Sequence, residues 1–215
     1  MKNINKIKII FDFDHTLFSA KKFYKATQDA FKKLGVEGKL FQKTFQKSKG
    51  EGRDYNPERQ FKLIFEKEPK IKIKDLRKAF SNVLKDAPKF FYNDVSDFLK
   101  KWQKQADLIL LSYGEEKFQG QKIEASKIGK YFKKIIITRD IEKLRPFKEI
   151  FTSNKKIIFV EDNPAALFRI KTIFPKVIAV RINREEGKYA KEKNPSNIDF
   201  SVKNLIELKE IIKQL

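Results

Sequence analysis

The 215-residue sequence contains no cysteine. Disulfides, thiol nucleophiles and cysteine-based zinc sites are therefore excluded. It contains a single histidine, His15. That removes histidine-rich metal sites and catalytic triads built on a histidine base. No apolar run approaches the roughly 20 residues needed to cross a bilayer. The first apolar segment is short and runs straight into acidic residues, unlike a secretory leader. A soluble, cytoplasmic protein is expected. Neither an internal repeat nor a low-complexity linker is visible.

Hydrophobic residues make up 40% of the chain and charged residues 36%, with a formal net charge of +21. A balance this basic fits an anionic partner, or a composition that favours Lys, Ile, Phe and Asn throughout. The basic residues are scattered and interleaved with acids, which reads as a solvated surface. No nucleic-acid motif accompanies the charge. A small phosphorylated substrate is therefore favoured over nucleic acid as the partner, with no membrane contact and a monomer or weak dimer as the assembly.

Short apolar runs of the kind that form buried parallel strands occur at Ile7–Phe11, Asp107–Ser112, Lys134–Thr138, Lys156–Glu161 and Val177–Arg181. Helical patterns separate the later runs, at Asp94–Gln105, Phe118–Ile128, Pro146–Thr152 and Pro164–Phe174. Pro146 and Pro164 each suit a first helical turn. Strand and helix in alternation mean an α/β fold, a Rossmann-like parallel sheet with helices on both faces. A last strand near Ile198–Val202 and a helix over Asn204–Gln214 close it.

The stretch from Leu17 to Lys89 breaks this rhythm and contains no convincing strand. Amphipathic helical patterns fall around Ala20–Leu34, Gly38–Lys47, Pro57–Phe65 and Lys74–Lys85. Residues 18–88 are expected to form a small all-helical cap, with 1–17 and 89–215 forming the α/β core. The insertion is also the more basic part, with 19 Lys and Arg against 9 Asp and Glu.

Asp12-Phe13-Asp14-His15-Thr16 follows directly on the first apolar run. Ligands of open α/β sheets bind at the carboxyl ends of the strands. With a strand period of two, Asp12 and Asp14 share one side. Two like charges so placed call for a cation or a proton transfer, and a hard cation such as Mg²⁺ takes oxygen ligands. Glu161-Asp162-Asn163-Pro164 ends another apolar run and supplies a second acidic pair. Ser112, followed by Tyr113 and Gly114, could hold a phosphoryl oxygen through a hydroxyl and backbone N–H groups, or could simply cap a helix. Lys143 precedes the helix near Pro146, with Arg145 and Lys148 as competitors for the same role.

These motifs, Asp12-x-Asp14-x-Thr16, Ser112, Lys143 and Glu161-Asp162, resemble the four motifs of the haloacid dehalogenase-like superfamily. The likeness covers roughly residues 5–17 and 90–183, and the insertion resembles the helical C1 type of cap. The resemblance implies that Asp12 is a nucleophile forming an aspartyl-phosphate and that Asp14 protonates the leaving oxygen and then activates water. Ser112 and Lys143 would hold the phosphoryl group. Mg²⁺ would sit on Asp12, the Phe13–Asp14 backbone region and Asp162, with Glu161 helping. Family dehalogenases lack an acid at the position of Asp14, so a Mg²⁺-dependent phosphatase acting on a sugar phosphate or nucleotide is the expected activity. A phosphomutase, or a protein that binds nucleic acid or processes its end phosphates through the basic cap, is the alternative. His15 stands where the family most often has Gly. Thr16, Tyr113 and Gly114 are expected at the substrate. In the Gly50–Asn56 loop, Arg53 is expected to clamp a phosphate or carboxylate and Tyr55 to stack or hydrogen-bond.

Overall fold

The computed structural model describes residues 7–50, 54–153 and 155–215. Among them six strands form one all-parallel sheet: β1 (Lys8–Phe11), β2 (Asp107–Tyr113), β3 (Lys134–Thr138), β4 (Ile157–Glu161), β5 (Ile178–Ile182) and β6 (Phe200–Val202). Their order is β3-β2-β1-β4-β5-β6. The first strand is therefore central, and the chain switches direction of travel across the sheet on either side of it. Open α/β sheets bind ligands at such a switch point.

Strand periodicity divides the core in two. Ile9, Phe11, Leu108, Leu110, Ile158 and Val160 project to one face, and Ile10, Ile109, Leu111, Ile157 and Phe159 to the other. Helices cover both faces, which is why these runs are apolar at every position rather than at alternate ones. Helices α5 (Val95–Trp102), α6 (Glu116–Ala125) and α9 (Leu205–Gln214) pack on the first face; α7 (Leu144–Ile150) and α8 (Pro164–Ile173) pack on the second.

Between β1 and α5 lie α1 (Ala20–Lys32), α2 (Gly38–Lys47), α3 (Pro57–Lys67) and α4 (Ile73–Lys85). Local chemistry sets their starts. Ser19 Oγ accepts from Lys22 N, and Asn56 Oδ1 accepts from Arg59 N with Pro57 opening the first turn. Their inward faces carry Phe23, Phe31, Phe41, Phe61, Leu76 and Phe80, and this aromatic core is continuous with the first face of the sheet. Some of the aromatic contacts run edge to face, as Phe23–Phe80 and Phe31–Phe41 do.

The chain leaves and re-enters the sheet side by side. Ser19 N donates to Phe90 O, Tyr92 N donates to Leu17 O, and Phe18 bridges Phe91 in antiparallel sense. Glu186, in the loop after β5, ties both legs down: it accepts from Ser19 Oγ at 2.7 Å and from the Tyr92 hydroxyl. Arg184 adds a second tie, donating to the Thr16 carbonyl and pairing with buried Asp94 at 2.7 Å.

Candidate active site

The carboxyl ends of β1, β2 and β4 meet at one edge of the sheet. Asp12 N still donates to Val160 O, so the strand holds its register one residue past Phe11. Phe13 then turns inward and stacks on Phe18 with centroids 4.9 Å apart. Asp12 and Asp14 both face a cleft of about 860 Å³, lined also by Lys143, Glu161, Asp162 and Tyr113. His15 adopts φ 59°, and its N–H donates to Phe18 O at 2.7 Å. That left-handed turn is the conformation a glycine adopts without strain. Gly187 closes over it at φ +85°, where an added Cβ would stand 3.0 Å from the imidazole ring.

Asp12, Glu161 and Asp162 offer carboxylate oxygens that lie within 4.8 Å of one another. One ammonium serves them. Lys143 is buried and bonds to Asp12 and, at 2.6 Å, to Glu161. It sits at φ 59° at the start of α7, a backbone strain of the kind that persists at functional sites. Burial alone would depress the Lys143 pKa, but the two carboxylates outweigh it and raise it. Arg145 and Lys148 are exposed.

Three carboxylates against one ammonium leave an excess of negative charge. Burial, then the charge of Glu161, pushes the Asp12 carboxyl up to about 7. Burial, then Asp12 and Glu161, raises Asp162 well above the ordinary range. A hard dication on these oxygens would reverse both shifts, so the donor set fits Mg²⁺. Asn163 is not part of the set: its Oδ1 caps α8 by accepting from Ala165 N.

The carboxylate of Asp14 stands apart from that cluster. Lys122 Nζ lies 2.7 Å from both of its oxygens, and Gln119 Nε2 donates to it at 2.9 Å. Burial works against its charge, but Lys122 and then Gln119 outweigh it and hold the carboxyl below the usual range. Lys122 is itself buried, with its ammonium 5.2–5.4 Å from the ring centroids of Phe13, Phe18 and Phe118. Neither Gln119 nor Lys122 figures in the sequence expectations. The fold supplies what the sequence did not: the buried positions of α6 are Phe118, Gln119, Lys122 and Ile123. A lysine on a helix face that points inward needs a carboxylate partner. Lys122→Met should therefore lower kcat by roughly 10- to 100-fold, less than loss of Asp14 itself, by freeing that carboxylate to rotate. Unchanged kcat with a lower melting temperature would make Lys122 purely structural.

Several expected contacts are placed differently. Thr16 is fully buried, lines neither the cleft nor the cavity beside it, and gives its carbonyl to Arg184. The tight turn at His15 immediately precedes it. The Gly114 N–H donates to Thr138 O at 2.9 Å because β2 runs one residue longer than expected, so that donor is not available to a phosphoryl oxygen. Ser112 is buried, and its Oγ accepts from Gln119 at 2.6 Å. The Tyr55 hydroxyl donates to Gln60 at 2.6 Å, and its ring packs on Phe45 and Phe118. Tyr55 thus lines the cavity beside the cleft, with its hydroxyl proton given to Gln60. Arg53 lies outside the described residues.

Residues 9–167 match the family model of haloacid dehalogenase-like hydrolases. The chain belongs to that family. Solved structures agree in fold. A Burkholderia xenovorans protein, provisionally named a haloacid dehalogenase-like hydrolase, superposes with a TM-score of 0.75 at 20% identity, covering 98% of each chain. A magnesium-bound family hydrolase from Bacillus subtilis, also provisionally named, gives 0.64 at 15% identity over 97% of this chain and 99% of that one. The 2-haloacid dehalogenase of Pseudomonas syringae gives 0.62 at 15% over 97% and 99%. No curated protein matches the sequence. The family makes the chain a hydrolase; identities this low carry only the fold. Among the described residues no helix is long and apolar enough to cross a membrane.

Proposed function

We propose that this family hydrolase is a Mg²⁺-dependent phosphatase that works through an aspartyl-phosphate on Asp12. One observation carries the reading: a second acid, Asp14, is fixed in the same cleft as Asp12 but outside the cation cluster. Halide leaves carbon without a proton, whereas an alkoxide leaving phosphorus needs one. A positioned acid beside the nucleophile therefore supports phosphoryl transfer over dehalogenation.

In the first step an Asp12 oxygen bonds to phosphorus and the bond to the leaving oxygen breaks. Asp14 takes up a proton from solvent, against the pull of Lys122, and gives it to that oxygen. In the second step Asp14 takes a proton from water, whose oxygen attacks phosphorus and releases phosphate and the free Asp12 carboxylate. The pairing with Lys122 favours ionised Asp14, the form the second step uses. Lys143 offsets negative charge at Asp12 and on the phosphoryl oxygens. Ser112, while accepting from Gln119, keeps its own proton for a phosphoryl oxygen. Mg²⁺ would be held by Asp12, Asp162 and the Phe13–Asp14 backbone with help from Glu161, and when bound supplies charge neutralisation. The magnesium-bound Bacillus subtilis relative supports that choice of ion.

The test is phosphate release from an aryl phosphate with Mg²⁺, abolished by EDTA and restored by excess Mg²⁺. Full activity in metal-free buffer would remove the ion from the reading. Halide release from a 2-haloacid, with no phosphate release from any ester, would overturn the phosphatase assignment.

A further inference from the structure

A second cavity opens from the cleft beside Asp14. It holds about 230 Å³ and shares Asp14, His15, Ala20, Tyr24, Phe45 and Tyr113 with the cleft. From the position of Asp14 it lies where a leaving group must go, while the cation cluster lies at the opposite end. We infer that the physiological leaving group is a neutral, apolar alcohol about the size of one ring, so that the substrate is a small aryl, arylalkyl or branched alkyl phosphomonoester. The inference rests on the phosphatase reading and narrows it.

The walls decide the chemistry. Phe23, Phe41, Tyr55 and Phe118 line the cavity beyond the shared residues. Most of its polar side chains already have partners, the buried His15 Nδ1 being the exception. Thr27 donates to Phe23 O, Tyr55 donates to Gln60, and Asp14 is held by Lys122 and Gln119. Glu115 caps α6 through Lys117 N and Phe118 N, and Asp54 lies 3.8 Å from Arg139. A sugar buried here would leave several hydroxyls without partners, each at a cost of about 1–3 kcal/mol. Size decides the rest. An apolar cavity of about 150 Å³ takes benzene, so 230 Å³ takes a ring with a short substituent but not a nucleoside. Sugar phosphates and nucleotides, the substrates expected from the sequence, fit neither criterion.

The experiment compares kcat/KM for benzyl phosphate, glycerol phosphate, a hexose 6-phosphate and a nucleoside monophosphate, with acetyl phosphate as a leaving group too small to reach the walls. All but acetyl phosphate carry alkyl leaving oxygens, so differences report on recognition. Benzyl phosphate should exceed glycerol phosphate, the hexose phosphate and the nucleotide by about tenfold or more. Thr27→Leu, whose larger side chain fills part of the cavity from α1, should reduce the benzyl-to-acetyl ratio by about tenfold. Equal or greater turnover of glycerol phosphate, the hexose phosphate or the nucleotide, with acetyl phosphate hydrolysed, would overturn the inference and leave the phosphatase reading standing. No phosphate from any compound would remove both. The wild-type ratios decide the matter even if Thr27→Leu does not fold.

Discussion

Replacing Asp12 by Asn should remove turnover by roughly four orders of magnitude or more while the protein stays folded. The amide cannot displace a leaving group from phosphorus, and two of the neighbouring carboxylates are tied to partners of their own. Glu161 is held by Lys143 and by Asn163 N, and Asp14 by Lys122 and Gln119. The sign of the stability change separates lost chemistry from lost fold. Burial and the charge of Glu161 push the Asp12 carboxyl from the ordinary 3.8 up to about 7 in the folded state. A carboxyl raised on folding favours the folded state while protonated and disfavours it once ionised, so its contribution declines as pH rises between those values. At pH 8 the metal-free Asn variant should therefore melt no lower than wild type. Steady-state kcat, acid-quench trapping of phosphoryl-enzyme and a metal-free melting curve together check this. Near wild-type kcat would exclude the covalent route, and a collapsed melting temperature would leave the kinetic loss without mechanistic meaning.

Lys143→Ala should be the most damaging change outside the carboxylates. It removes the ammonium that two buried carboxylates share, and breaking a buried ion pair on one side costs about 3–5 kcal/mol. Activity should fall by about 100- to 1,000-fold, the usual scale for losing one preorganised charge at a phosphoryl group. Mg²⁺ should restore part of the stability, because it supplies positive charge to the same oxygens, but not the rate. Arg145→Ala and Lys148→Ala, both at exposed positions, should change neither quantity appreciably. Were Arg145→Ala the damaging substitution, the ammonium assigned to the nucleophile would be the wrong one.

The sheet was legible because buried parallel strands must be apolar on both faces. The runs at Asp107 and Lys134 match β2 and β3 to within one residue, and Gly38–Lys47 and Pro164 match the helices they open. The acidic ends of β1 and β4 were legible for a related reason: clustered carboxylates after apolar runs have few structural uses. What escaped notice depends on contacts between elements distant in sequence. Lys122 is one of 49 Lys and Arg, and only the packing of α6 against the end of β1 singles it out. Tyr55 looked like a loop residue free to meet a ligand. Its ring is fixed by Phe45 and Phe118, which approach from α2 and from α6 across the insertion.

The paired legs at Phe18 and Phe91 have a further meaning for how this chain tolerates change. The ends of the helical insertion are joined by hydrogen bonds before any of its interior matters to the sheet. The entropy lost in closing a loop grows only with the logarithm of its length, about 0.6 kcal/mol per doubling. Lengthening or shortening the segment between those legs therefore costs little in loop-closure entropy, provided Ser19, Tyr92 and Glu186 still meet and its rings still pack on Phe118. The aromatic walls can diverge quickly in descent while the carboxylates beneath them stay put, so two proteins of this architecture can share every charged group at the sheet edge and still accept unrelated alcohols.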